Sequence, residues 1–317
     1  MTDRVRVRLE APSEVHRPET GSQGFNLEDV EFEVLERARN DGEKSGLLVF
    51  SVRNADAAVV NAIRRIMLAE VETVAADLVG IKANTSIIAD EILAHRIGLV
   101  PFNVDPERLP SKETRLNFDI YKECVEEGVD DRVLSKDLAW ASEDGVTHPE
   151  LLKLDPRPAP LHDDILLARL IPGQKIFLRA QLRVGVGKEH AKFSPVATAS
   201  YRLMPIISIN EQLAPKLAKD IKANCPMDVF DIEDGDRLVV ADAKRCTMCR
   251  ECIRPDGWDQ VITLERDPNH FIFSVEGVGM IEPEEIFVRA CKKLAQKCKD
   301  LGKDVADLLR EEQQHAA

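Results

Sequence analysis

Apolar and charged residues alternate over the stretch where Val30, Phe32 and Val34 are separated by Glu31 and Glu33. A period of two puts one side of an extended chain against a core and the other in water, so a strand is predicted here. Asn40-Asp41-Gly42 then reads as a turn, because glycine takes positive φ freely and Asn or Asp nearly so. Leu47 to Val52 returns as a second strand and closes a hairpin. Pro12, Pro18 and Gly21 mark the stretch before it as a flexible arm.

The period then changes. Asp56 is a candidate helix cap, and Val59, Ile63, Ile66 and Met67 fall on one helical stripe. A strand at Val79 to Lys82 leads to a second capping cluster, Asn84-Thr85-Ser86, with a short helix through Ile87, Ile92 and His95 to Gly98. From about residue 100 to 205 the chain is proline-rich, with an acidic loop at Glu126 to Asp131 and strands near Lys175 to Val184 and Ala197 to Met204. This middle reads as a mainly β insertion. A cysteine-bearing segment of little regular pattern runs from Ser208 to Asp259, and strands resume at Val261 to Leu264 and Phe271 to Val275.

The final helix has Pro283 at its start and Glu284 and Glu285 in its first turn, where acid suits the helix dipole. Ile286, Ala290, Leu294, Cys298, Leu301, Val305 and Leu308 step along one face, and Gly302 marks a break or bend. Burying each large aliphatic side chain fully is worth ~1.5–3 kcal/mol. A stripe this long needs a long covering surface, which points to a second chain.

Lys and Arg total 43 against 56 Asp and Glu, a net charge of −13. Gripping nucleic-acid phosphates needs an excess of cations, so direct nucleic-acid binding is not the main task. No apolar run is long enough to span a bilayer, and the N-terminus has no apolar signal core. Of seven cysteines, Cys246, Cys249 and Cys252 fall at two-residue intervals, and Cys225-Pro226 lies upstream. Thiolates so spaced converge on one centre from a tight loop. A [4Fe–4S] cluster on Cys225, Cys246, Cys249 and Cys252 is one reading, zinc on the same four is another, and a segment without metal is the third. A lone cluster would suit an electron-transfer or redox-sensing protein, which is the alternative function. Enzyme templates fail: Gly185-Val186-Gly187-Lys188 lacks the rest of a phosphate loop, Gly277-Val278-Gly279 lacks the third glycine of a dinucleotide turn, and the histidines are dispersed. No catalytic residue is assigned.

Asn61-Ala62-Ile63-Arg64-Arg65-Ile66-Met67 resembles the first-helix signature of the α-like subunits of cellular RNA polymerases. Asp90 to Pro101, Gly187 to Val196, and Phe271 to Glu276 with Pro283-Glu284-Glu285-Ile286 are similar to further blocks of that family, in the same order. Val196 to Leu203 and Asn269 to Phe273 look most like the larger α-like subunits shared by eukaryotic polymerases I and III. The three-cysteine run is similar to that of archaeal subunits with an iron–sulfur cluster.

The resemblance implies an α+β fold: a discontinuous α-like dimerisation domain of a sheet plus two helices, with an inserted mainly β domain and a ferredoxin-like cysteine segment. The implied bounds are an arm at 1–27, dimerisation domain at 28–80 and 258–317, β insertion at 81–207 and cysteine segment at 208–257. It further implies a non-catalytic assembly platform in the nucleus, in nucleolus and nucleoplasm, transcribing rRNA, 5S rRNA and tRNA as part of polymerases I and III. Its partners would be a smaller α-like subunit and the two largest subunits, with DNA reached only through the complex. Expected interface residues are Ile63, Arg64, Arg65, Met67, Ile286, Ala290, Leu294, Leu301 and Val305. Of these, Arg64 and Arg65 would turn towards a large subunit, while Ile63 and Met67 would face inward.

Overall fold

In a computed structural model of the chain, residues 29–39, 46–125, 131–141, 151 and 156–315 are described. The expected arm, the Asn40-Asp41-Gly42 turn and nearly all of the acidic loop lie outside the described residues. The opening hairpin is formed by β1 (Glu31–Arg39) and β2 (Gly46–Arg53). Leu48, Phe50 and Val52 of β2 alternate inward, as a one-faced strand requires. Helix α1 (Ala57–Ala69) starts where the Asp56 carboxylate accepts a hydrogen bond from the Ala58 amide at 2.6 Å.

The chain builds three cores, the first of them from its two ends and the other two from the stretches between. The first sheet has the order β1-β2-β12-β9, with β9 at Val196–Ile209 and β12 at Ile262–Gly277, all antiparallel. Two helices cover one face of it: α1 and the last helix of the chain, the 33-residue segment Pro283–His315. The second sheet joins β3 (Glu72–Asn84), β8 (Lys175–Val186), β4 (Leu116–Glu123) and β6 (Ala139–Trp140) in the order β3-β8-β4-β6. It encloses its own core with α2 (Asp90–Gly98) and the ribbon β5 (Asp131–Leu134) and β7 (Leu166–Leu170). A third core gathers α3 (Ala214–Asn224), the hairpin β10 (Phe230–Glu233) and β11 (Arg237–Val240), and the cysteine loop. The last helix is α4.

Five sequence expectations change. The strand at Glu72–Asn84 belongs to the inserted sheet, so the first part of the dimerisation unit ends with α1, near residue 71, rather than at 80. The strand at Val196–Ile209, expected in the insertion, hydrogen-bonds along β12 and closes the first sheet. Asn84 does not cap α2. Its side chain accepts from the Ser86 amide at 3.0 Å and donates to Asp90, closing its own turn, and α2 begins only at Asp90. The cysteine segment contains a helix and a hairpin rather than little regular structure. Gly302 leaves α4 unbroken, with nothing within 4 Å of where a side chain would lie.

The loop after β8 ties insertion to dimerisation unit. Gly187 lies against the Leu68 carbonyl so closely that a β-carbon would overlap it, and the Lys188 amide donates to Ala69 at 2.8 Å, covering the end of α1. Thr73 Oγ1 donates to the Phe193 carbonyl at 2.6 Å, fixing the same loop from β3.

Candidate partner-binding groove and cysteine cluster

Between α1 and α4, above the first sheet, runs an apolar cavity of about 500 Å³. Its walls are Val59, Val60 and Ile63 of α1, Phe287, Cys291, Leu294, Ala295 and Cys298 of α4, and Val30, Phe32, Val52, Ala55 and Phe273 below. Four aromatic rings meet at its base. Phe287 meets Phe50 edge-on at 4.8 Å and Phe32 at 5.9 Å, and Phe50 stacks on Phe273. Phe32 is 59% exposed, so the groove is open along β1.

The apolar surface does not stop there. Phe287, Cys291, Leu294, Cys298, Leu301, Val305 and Leu308 follow one another at alternating steps of four and three, the spacing of a helix–helix seam. Leu301 is 64% exposed, and Val305 and Leu308 are exposed too. One continuous apolar strip thus leads from the groove along the free half of α4. A surface of this extent on a helix marks a place where another chain packs.

The expected interface residues divide. Ile63, Leu294, Leu301 and Val305 lie on the groove or its extension. Met67, Ile286 and Ala290 do not: all three are fully buried in the chain's own core and offer no surface to a partner. Residues 286 and 290 sit one position away from 287 and 291, a rotation of about 100° round the helix. Arg65 is exposed, while Arg64 bends back to Asn61 Oδ1 through Nε and Nη2 at 3.1 and 3.0 Å. Val30, Phe32, Phe287 and Cys291 were missed as groove residues. The heptad register of Phe287 with Leu294 and Leu301 was the available signal.

The four cysteines singled out by spacing are brought together. Cys225, Cys246, Cys249 and Cys252 line one small cavity of about 10 Å³, beside Met227 and Phe230. Met248 and Arg250 take left-handed backbone conformations, with φ of 60° and 66°, which coil the loop tightly. The Val229 and Met248 amides donate to Cys225 and Cys246 sulfurs at 3.5 and 3.4 Å. Burial, and after it the neighbouring Cys246, push the Cys252 thiol up to about 11. Four soft donors round one cavity are a set that could hold a soft metal ion once the thiols are deprotonated. In this arrangement, no three ligating side chains among the described residues converge as a formed metal site. Arg202 on β9 fastens the loop from outside, donating to the Lys244 carbonyl and, at 3.4 Å, to that of Cys246.

A split sheet, two covering helices and an open groove between them define a dimerisation module interrupted by an insertion. The chain belongs to the family of the RNA polymerase Rpb3/Rpb11 dimerisation domain, whose profile matches residues 49–298. It is 38% identical over 302 residues to the DNA-directed RNA polymerases I and III subunit rpac1 of Dictyostelium discoideum, covering 90% of this chain and 86% of that one. It is 39% identical over 281 residues to the corresponding RPAC1 subunit of Saccharomyces cerevisiae, covering 80% and 82%. An archaeal relative, the RNA polymerase subunit Rpo3 of Methanosphaera stadtmanae, is 33% identical over 84% of this chain and 96% of its own.

Proposed function

We propose that this chain is the larger α-like subunit shared by RNA polymerases I and III, and that it works by assembly rather than catalysis. The observation that carries the reading is the open groove between α1 and α4, continuous with the exposed seam of α4. A smaller α-like subunit lays an apolar helix into that groove. Obligate interfaces of this kind bury more than ~2,000 Å² and resemble a core cut in two. The resulting heterodimer is the platform on which the two largest subunits assemble, and Arg65 is exposed for contact with one of them. DNA is reached only through the complex, and the subunit acts in the nucleus, in nucleolus and nucleoplasm. Affinity capture of the tagged chain from its own cells, with mass spectrometry, tests this. Both sets of largest subunits should be retained in comparable amounts; one set alone would make the subunit specific to that polymerase.

For the cysteine cluster we infer a structural centre, zinc or a [4Fe–4S] cluster, held by Cys225, Cys246, Cys249 and Cys252. The four sulfurs round one cavity support this. When bound, such a centre supplies four metal–sulfur bonds that hold the third core together. Metal analysis and the visible spectrum of anaerobically purified protein separate zinc from iron; protein with neither metal and an intact fold would overturn it. An electron-transfer role has no support among the relatives, which are polymerase subunits.

A further inference from the structure

The two long sides of α4 do different things. Phe287, Cys291 and Leu294 face the groove, whereas Glu285, Arg289 and Gln296 lie on the side turned to the insertion. Between that side and the insertion is not a packed apolar junction but a charged cleft of about 320 Å³, bordered by Glu70, Glu72 and Glu107 and by Lys112, Lys292 and Lys293. One contact bridges it at full strength. Arg289 Nη1 and Nη2 donate to Asp105 Oδ1 and Oδ2 at 2.9 and 2.8 Å, a two-pronged pairing between residues 184 apart in sequence.

Both partners are held before they meet. Arg289 Nε donates to Glu285 on its own helix at 3.0 Å, which aims the guanidinium, and only 12% of the side chain is exposed. Asp105 accepts from the Glu107 amide at 3.0 Å as the cap of the 3₁₀ turn Pro106–Arg108, so its carboxylate is anchored in the insertion. Glu107 adds a third carboxylate 3.4 Å from Arg289. A planar fork matched to a carboxylate fixes direction as well as distance, which a Lys ammonium cannot do. Half-buried ion pairs contribute little net stability compared with apolar packing, but they select one geometry.

We propose that the Arg289–Asp105 pair is an interdomain latch, setting the inserted domain at one fixed angle to the partner-binding helix. The consequence is that a partner seated on one side of α4 presents the insertion to the rest of the assembly in a single orientation. This rests on the reading of α4 as the partner helix. The two are separable, because the latch lies on the side of the helix away from the groove.

The test measures the distance distribution between paramagnetic labels at Glu113 of the insertion and Lys299 of α4. Labels are attached through a non-canonical amino acid to spare the native cysteines, and the measurement is made on the full chain in complex with the smaller subunit. The wild type should give one narrow distribution. Arg289→Met and the isosteric Asp105→Asn, which keeps the cap, should each broaden it, with co-purification of the smaller subunit unchanged. An unchanged width in both single variants overturns the latch, as does loss of the partner from Asp105→Asn. If the wild type itself fails to capture the smaller subunit, the groove reading fails instead, and the widths are still read on the free chain.

Discussion

Phe50 and Phe273 stack with ring centroids 5.0 Å apart and planes within 3° of parallel, and they face each other in register across β2 and β12. One ring comes from the opening of the chain and the other from its close, so the dimerisation core exists only when both ends have met. Phe273→Ala should therefore cost about 3–5 kcal/mol of unfolding free energy, read from denaturant titration. Phe32→Ala, at an open rim of the groove, should leave stability near wild type while weakening capture of the smaller subunit.

Gly187 and Gly302 make an informative pair. A β-carbon at Gly187 overlaps the Leu68 carbonyl, and backbone cannot swing aside as a side chain can. Gly187→Ala should loosen the loop from the end of α1 and lower the melting temperature. At Gly302 the space is open and the residue is helical, so Gly302→Ala should stabilise α4 by up to about 1 kcal/mol. Thermal unfolding of the two variants side by side checks both signs.

His270 pairs with Ser51 across the back of the first sheet, Nε2 to Oγ at 2.9 Å, with both residues buried. Burial, and then the Arg53 guanidinium, hold the imidazole below its ordinary range, so the fold favours the neutral ring. The unfolded chain takes up its proton at about pH 6.5. The contribution is thus complete above that value and lost as pH falls through the lower folded one. Urea midpoints should drop between about pH 7.5 and about pH 5.5, and less steeply in His270→Gln.

The cysteine loop presents its thiols unequally. Cys249 is exposed, whereas Cys246 and Cys252 are buried. In metal-free protein, alkylation followed by peptide mapping should therefore modify Cys249 first, since accessible thiols react before buried ones. Equal labelling of all three would show that the loop does not keep this conformation in solution.

The two-residue period of β1, the stripe of α1 and the apolar stripe of α4 were all written in local spacing, and so was the run of Cys246, Cys249 and Cys252. The strand partners were not. Glu72–Asn84 and Val196–Ile209 carry strand patterns, but nothing local says which sheet each will join, and each crossed the expected boundary. The interface on α4 was misread for a related reason. The helix is apolar on two adjoining faces, Ile286 and Ala290 towards its own core and Phe287 and Cys291 towards the groove. A stripe that wide cannot be divided until the sheet beneath it is known. The Arg289–Asp105 contact had no local signal at all, since its halves lie in different domains.

Leu301 and Val305 lie on the exposed part of the seam and outside the chain's own cores, so changing them separates partner binding from folding. The decisive measurement is the affinity of the smaller α-like subunit for Leu301→Asp plus Val305→Asp, beside circular dichroism of the free variant. The account predicts an unchanged spectrum with binding lost; co-elution at wild-type affinity would contradict it.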